Sequence, residues 1–196
     1  MGTINTISSN ILYLNGLGVK NIAKIVGRRP EILSLKIEYM QPRIDWLKEQ
    51  GVNDIAKVIT KNPRVLVYSI ENCMQPRIGW LKEQGVTDIG KVITRAPSVL
   101  ALKIENNLNL KFNYFTKEMG FDVCSIEKNP VSLTYNLQKR IIPRYEYLKS
   151  KNLEGRYGLA HILYHNDKNF AIKVAKSTLE DYQKFREDVI NQQPTN

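Results

Sequence analysis

The stretch MQPRIDWLKEQGV at residues 40–52 returns as MQPRIGWLKEQGV at residues 74–86, and the two copies differ at a single position. A second motif, Pro-x-x-Leu, occurs before, between and after these copies. Its prolines are Pro30, Pro63, Pro97 and Pro130, which are 33, 34 and 33 residues apart. A period of this length is typical of a unit that buries its apolar face only by stacking on its neighbours. The sequence therefore predicts a repeat protein.

Each repeat carries signals for three helical segments. Apolar residues spaced i, i+3, i+4, such as Ile22, Ile25 and Val26, predict a first helix of about two turns, called helix A. The proline that follows cannot continue helix A, but it suits the start of a short helix B, which could be 3₁₀. A second proline is expected to open helix C, and a glycine such as Gly51 to close it. The second prolines are Pro42, Pro76 and Pro143.

The predicted fold is all-α: an α-solenoid, or superhelix, of helix, short helix, helix repeats of about 34 residues. Residues 1–16 are expected to form an N-terminal half-repeat cap that resembles a lone helix C. Residues 17–152 would hold four tandem repeats, and residues 153–196 a C-terminal helical cap. Helices are expected in that cap at residues 159–165, 169–175 and 178–191.

The positive charge is concentrated on the repeats. The chain carries a net charge of +10, and residues 17–152 hold 23 Lys and Arg against 13 Asp and Glu. Residues 153–196 are balanced, with six of each sign. A basic excess confined to a repeating surface fits a long polyanion such as nucleic acid. Solubility alone is the alternative explanation.

Two sets of basic residues recur at equivalent positions in all four repeats. Column 1 lies two residues before the first proline and consists of Arg28, Lys61, Arg95 and Lys128. Column 2 follows the second proline position and consists of Arg43, Arg77, Lys111 and Arg144. Leu110 replaces the second proline in the third repeat. Both columns are predicted to contact phosphate groups.

Each column also has a structural alternative. Column 1 could interact favourably with the C-terminal end of helix A. A cation at the start of helix C opposes the helix dipole, which favours an anionic partner for column 2, shared with backbone N–H groups there. Ion pairs with Asp45 or Glu38 are the competing explanation for column 2.

The remaining repeated residues are expected to be structural. Lys24, Lys57 and Lys91 suit a solvated helix face, and so do Lys48, Lys82 and Lys149. The aromatic column Tyr13, Trp46, Trp80, Tyr114 and Tyr147 is expected to pack between repeats rather than to stack on bases. Cys124 is expected to be a small buried residue of helix A.

No catalytic, cofactor or metal site is predicted. His161 and His165 are four residues apart and could share a metal, but the sequence places no further ligand beside them. Gly-rich phosphate loops, nucleophile elbows and zinc motifs are absent from the sequence. Cys73 and Cys124 lie in different repeats, which argues against a disulfide framework. No apolar run approaches the roughly 20 residues of a membrane span.

The repeat motif resembles that of the mitochondrial transcription termination factor (mTERF) family. The resemblance is carried by residues 28–33 (RRPEIL), by the Trp46-Leu47 pair and by Gly51-Val52, and it recurs in the next two to three repeats. It implies a left-handed superhelix of helical triplets whose basic face holds duplex DNA, or RNA in some members, in mitochondria or plastids. The first ten residues contain no Lys or Arg, so no transit peptide is visible.

Together, the basic columns and the family resemblance predict a non-enzymatic nucleic-acid-binding protein that acts in organellar transcription termination or regulation. Double-stranded DNA is the favoured partner, and the protein is expected to be a monomer. An RNA-binding assembly or splicing factor on the same fold is one alternative. A protein-interaction scaffold is another, and its binding would respond weakly to salt.

Overall fold

A computed structural model describes residues 2–192 of the chain, and it confirms the all-α repeat fold. Helices account for 74% of the chain, and residues 2–192 contain no strand. The chain forms two compact units, Met1–Leu102 and Lys103–Asn196. The first unit holds the N-terminal helix Gly2–Gly16, two complete repeats, and helices A and B of the third. The second unit holds the rest.

Helices A and B form where the sequence predicts them. Helix A begins one residue after a capping side chain, an Asn or Asp that accepts a hydrogen bond from the third backbone N–H of the helix. The four helices A are Ile22–Arg28, Ile55–Lys61, Ile89–Arg95 and Val123–Lys128. Each helix B is a 3₁₀ helix with the motif proline at its first position, and the four are Pro30–Ser34, Pro63–Leu66, Pro97–Ala101 and Pro130–Thr134.

Helix C begins five residues before the second proline in the first repeat and six residues before it in the second and fourth, so the prediction that this proline opens the helix is wrong for the first repeat. In the second and fourth repeats the α-helical part begins one residue before Pro76 and Pro143, close to the predicted place. In the first repeat helix C is a continuous α-helix, Ile37–Glu49, with Pro42 inside it. In the later repeats it starts with one π-helical turn. The segments are Ile70–Met74 with Gln75–Glu83, Ile104–Leu108 with Asn109–Asn113 and Tyr114–Glu118, and Leu137–Ile141 with Ile142–Ser150.

The π turn accommodates one additional residue. The first and second prolines are 12 residues apart in the first repeat, but 13 apart from Pro63 to Pro76 and from Pro130 to Pro143. A single inserted residue in an α-helix is commonly absorbed as a π-bulge. Here the bulge closes through Gln75 N–H to the Ile70 carbonyl and Ile142 N–H to the Leu137 carbonyl, immediately before each proline.

Helix C ends at a left-handed glycine, as predicted. Gly51 and Gly85 have φ values of 84° and 86°, which a side chain would strain. The core of each unit consists of the inward faces of these segments. The helix B residues Leu66, Leu100 and Leu133 are buried, and burying a leucine side chain stabilises the fold by about 1.5–3 kcal/mol.

The C-terminal segment covers the last repeat with three short helical pieces. They are Leu159–Leu163, Asp167–Asn169 continued by the π turn Phe170–Val174, and Leu179–Asn191. Tyr182 is fully buried, and its ring packs 5.2 Å from that of Tyr147 and 4.9 Å from that of Phe170. No helix within residues 2–192 has both the length and the apolar character needed to cross a membrane.

Candidate nucleic-acid interface

The column 2 side chains join consecutive repeats through backbone carbonyl groups. Arg43 Nε donates to the Tyr68 carbonyl at 2.9 Å, and Arg77 Nε donates to the Leu102 carbonyl at 3.0 Å. Each acceptor lies within two residues of the C-terminal end of helix B in the next repeat. Column 2 is therefore engaged within the protein, and its partners are carbonyl groups rather than Asp45 or Glu38.

In the second unit, the two column 2 side chains are also buried. Lys111 is 4% exposed, and its Nζ donates to the Leu133 carbonyl at 2.7 Å. Arg144 is fully buried, and it donates to the carbonyls of Ile162 and His165 and to Asp167 Oδ1 at 2.7 Å. A buried cation with these partners cannot also reach a phosphate in solution. The prediction of phosphate contacts by Lys111 and Arg144 is therefore corrected to a structural role.

The N-terminal helix also donates hydrogen bonds to the carbonyl groups at the end of the next helix B, but from an uncharged side chain. Asn10 occupies the position equivalent to Arg43, and its Nδ2 donates to the carbonyls of Leu33 at 2.8 Å and Leu35 at 2.7 Å. A buried amide thus performs the role that arginine or lysine performs in the repeats. Because a neutral side chain suffices, the recurring requirement at this position is for a hydrogen-bond donor to the next repeat.

Column 2 also compensates for the prolines in helix C. Pro76 lacks the N–H that would normally pair with the carbonyl of Asn72 four residues earlier. Arg77 Nη1 donates to that carbonyl at 3.0 Å and to the Cys73 carbonyl at 3.1 Å. This contact explains why a basic residue directly follows proline in this repeat.

Column 1, in contrast, lies on the surface. Arg28, Lys61, Arg95 and Lys128 are all exposed, and each lies in the last turn of its helix A. That position favours a cation because of the helix dipole. Exposure of all four nevertheless leaves their charges at the solvent boundary, where a polyanion can approach them.

In the first unit, column 1 forms a cluster of cations. Lys61 Nζ donates to the carbonyls of Thr94 at 3.3 Å and Arg95 at 2.7 Å, at the end of the next helix A. Burial lowers the pKa of Lys61, and the positive charges of Lys57 and Arg95 lower it further, with only Asp54 opposing them. Several like charges are thus held within electrostatic reach of each other.

Lys24, Lys57 and Lys91 extend this surface along helix A. Each lies one helical turn before a column 1 residue, so the two positions share a helix face. All three are exposed, and within residues 2–192 none of them forms an ion pair with a carboxylate. Within residues 2–192, the exposed face of helix A therefore carries two cationic positions in each of the first three repeats. The sequence shows Lys24, Lys57 and Lys91 as a repeated set, which was expected to be a solvated helix face.

The predictions for the aromatic column and for Cys124 have different outcomes. Two members of the aromatic column, Trp80 and Tyr147, are buried, whereas Tyr13, Trp46 and Tyr114 are half-buried. The prediction for Cys124 is wrong, since this residue is exposed near the start of helix A. Cys73 and Cys124 form no disulfide.

The two histidines remain without further potential ligands. The rings of His161 and His165 are 6.4 Å apart. Within residues 2–192, no group of three or more His, Cys, Asp or Glu side chains could hold a metal ion.

Comparison with known proteins identifies one family. The model of the mTERF family matches residues 3–171, which is most of the chain. The match includes the N-terminal helix, all four repeats and the first helices of the C-terminal segment. No curated protein matches the chain.

Proposed function

Because the chain belongs to the mTERF family, we propose that it binds nucleic acid through the exposed cations of helix A. The family consists of nucleic-acid-binding helical-repeat proteins that are generally not enzymes. Duplex DNA is the favoured partner in this proposal. The protein acts in transcription termination or regulation in mitochondria or plastids, where a tightly bound duplex obstructs a polymerase without chemistry by the protein.

One observation carries the proposal: the clustering of Lys57, Lys61 and Arg95 in the first unit. Burial lowers the pKa of Lys61, and the positive charges of Lys57 and Arg95 lower it further. Placing like charges together is unfavourable for the isolated protein, and a bound polyphosphate converts that repulsion into attraction. The cluster therefore supports a site for an extended anion.

The test compares charge removal on helix A with charge removal elsewhere. Replacing Arg28 and Lys57 together by Gln removes two exposed cations from helix A. We expect weaker binding to every duplex sequence, and a plot of log affinity against log salt that is flatter by about two units, since each phosphate contact contributes about 0.9. Fluorescence anisotropy at several salt concentrations measures both quantities.

The control removes two exposed cations from the electrically balanced C-terminal segment, with Lys173 and Lys184 replaced by Gln. Its net charge equals that of the test variant, so a general charge effect would change both proteins equally. Equal salt slopes for the two variants would remove helix A from the interface.

The same assay separates the alternative functions. Duplex DNA, duplex RNA and single strands are used as competitors against a labelled duplex. Stronger competition by RNA would favour an RNA-binding factor on the same fold. Affinity that hardly responds to salt would favour a protein-interaction scaffold.

A further inference from the structure

A small polar cavity lies between the starts of two consecutive helices C in the second unit. Its volume is about 200 Å³. Four amide side chains line it, together with the exposed Leu110 and the buried Lys111. The amides are Asn106, Asn107, Asn136 and Gln138. Column 1 and helix A contribute no residue to this lining.

The cavity contains a hydrogen-bond acceptor that the protein does not satisfy, and exposed amide groups that can donate lie beside it. Asn107 Oδ1 is buried, and it has no hydrogen-bond partner within residues 2–192. A buried acceptor without a partner is unfavourable, because it has lost its hydrogen bonds to water. The lining amides of Asn106 and Gln138 are exposed, and each carries an NH₂ group that can donate to a ligand. A complementary ligand must therefore present both a donor and an acceptor.

This requirement distinguishes a nucleobase from a phosphate. Phosphate oxygens only accept hydrogen bonds at neutral pH, and they would face the Asn107 carbonyl oxygen unfavourably. The edge of a nucleobase carries donors and acceptors side by side, and Asn and Gln amides pair with them in a bidentate manner. The exposed side chain of Leu110 offers an apolar contact at the same place.

The equivalent cavity of the first repeat has a different lining. It has a volume of about 290 Å³, and it is lined by Lys36 and Glu38 at the positions that Asn136 and Gln138 occupy in the fourth repeat. Acidic residues also stand at this place in the other repeats, as Glu71 and Glu105. Only the fourth repeat replaces the acid by an amide, so the amide lining is a property of this one junction.

The size of the cavity limits the ligand to one small group. Pockets for drug-sized ligands measure about 300–1,000 Å³. We propose that the cavity binds the hydrogen-bonding edge of a single unpaired nucleobase, and that it gives the protein base discrimination that phosphate contacts do not provide. This inference rests on the proposed function and specifies which part of the nucleic acid the second unit recognises.

The test uses a short DNA duplex with one bulged nucleotide, prepared with each of the four bases and with an abasic residue at the bulge. Wild-type protein is expected to bind at least one of the four bulged bases about tenfold more tightly than the abasic duplex. Replacing Asn106 and Gln138 together by Ala should abolish this difference, while the affinity for the abasic duplex and its salt dependence stay unchanged. Fluorescence anisotropy measures all five duplexes.

Two further variants make the result decisive. Asn107→Leu removes the unsatisfied acceptor and should abolish the same difference, whereas the exposed amides Asn113 and Gln183, both replaced by Ala, serve as the matched control. Thermal unfolding verifies that each variant is folded.

Equal binding of wild-type protein to the abasic and the four bulged duplexes would overturn the cavity proposal and leave the proposed function standing. Retained discrimination in the Asn106 and Gln138 variant would also overturn it. Failure of the wild-type protein to bind any of the duplexes or single strands would overturn the proposed function itself.

Discussion

At the scale of single residues, the same side-chain type performs two different tasks in this chain. Arg28 and Arg144 both belong to columns that are basic in every repeat, yet one is exposed and the other is fully buried. The difference arises from their partners. Arg144 lies over the Phe170 ring at 4.7 Å, and its Nη atoms donate to two carbonyls and a carboxylate inside the protein, whereas its buried Nε has no hydrogen-bond partner within residues 2–192.

Arg144 is therefore expected to contribute strongly to the free energy of unfolding of the protein. Arg144→Met would remove the side-chain donor to the Ile162 carbonyl and the nearer of two cations beside Asp167, while Arg140 would still donate to the His165 carbonyl. We expect a loss of about 3 kcal/mol in the free energy of unfolding. Urea denaturation measures it, with the exposed Arg156→Met as the control. A loss similar to that of the control would mean that the buried contacts contribute little.

Lys111 provides a prediction about pH. Burial lowers its pKa to about 8, whereas a lysine in the unfolded chain keeps its proton up to a pH near 10.5. Between these values the unfolded state binds more protons, so raising the pH favours the folded state. Relative to Lys111→Met, wild-type stability should rise by about 2 kcal/mol between pH 8 and pH 10. Urea denaturation at both pH values tests this, and a constant difference would contradict the lowered pKa.

At the scale of helical elements, the stacking of repeats depends on close backbone contact. Helix A of the third repeat passes directly against the turn that closes helix C of the first. A Cβ atom at Gly90 would overlap the carbonyl oxygen of Gly51. A glycine within helix A, although unfavourable for an isolated helix, is thus required by its neighbour.

Two glycine substitutions separate packing from helix propensity. Gly90→Ala should destabilise the protein by about 1–3 kcal/mol, because the helix must move away from Gly51. Gly79 also lies in a helix, but nothing lies within 4 Å of a Cβ placed there. Gly79→Ala should therefore stabilise by about 0.5–1 kcal/mol. Thermal unfolding compares the two variants, and shifts of the same sign would contradict the proposed contact.

At the scale of the whole molecule, charge is distributed between two roles. Residues 17–152 carry the excess of positive charge, and part of it is used in contacts between repeats. The exposed remainder on helix A is the part that can neutralise phosphate groups. The number of phosphate groups that the protein neutralises is therefore expected to be smaller than the number of residues in columns 1 and 2.

Occupancy of the template is the mechanism that this distribution supports. A purified RNA polymerase transcribing a duplex with bound protein should stop at the bound site, and added salt should abolish binding and arrest over the same concentration range. Transcription assays at increasing salt measure both. Arrest that persists after the protein has dissociated would indicate a mechanism other than occupancy.

The sequence alone determined the repeat period, the all-α fold and the order of helices A and B around the motif proline, because proline, glycine and apolar spacing act locally on the backbone. It also identified every position that is basic in all four repeats. The tertiary structure decided which of these positions faces solvent. Periodicity shows that Arg43, Arg77, Lys111 and Arg144 are equivalent, but the carbonyl acceptors outside their own helices lie 22 to 25 residues away for the first three and 18 or more for the last. Only packing brings these donors and acceptors together, so the burial of Lys111 and Arg144 and the amide cavity beside Lys111 could not be predicted from spacing.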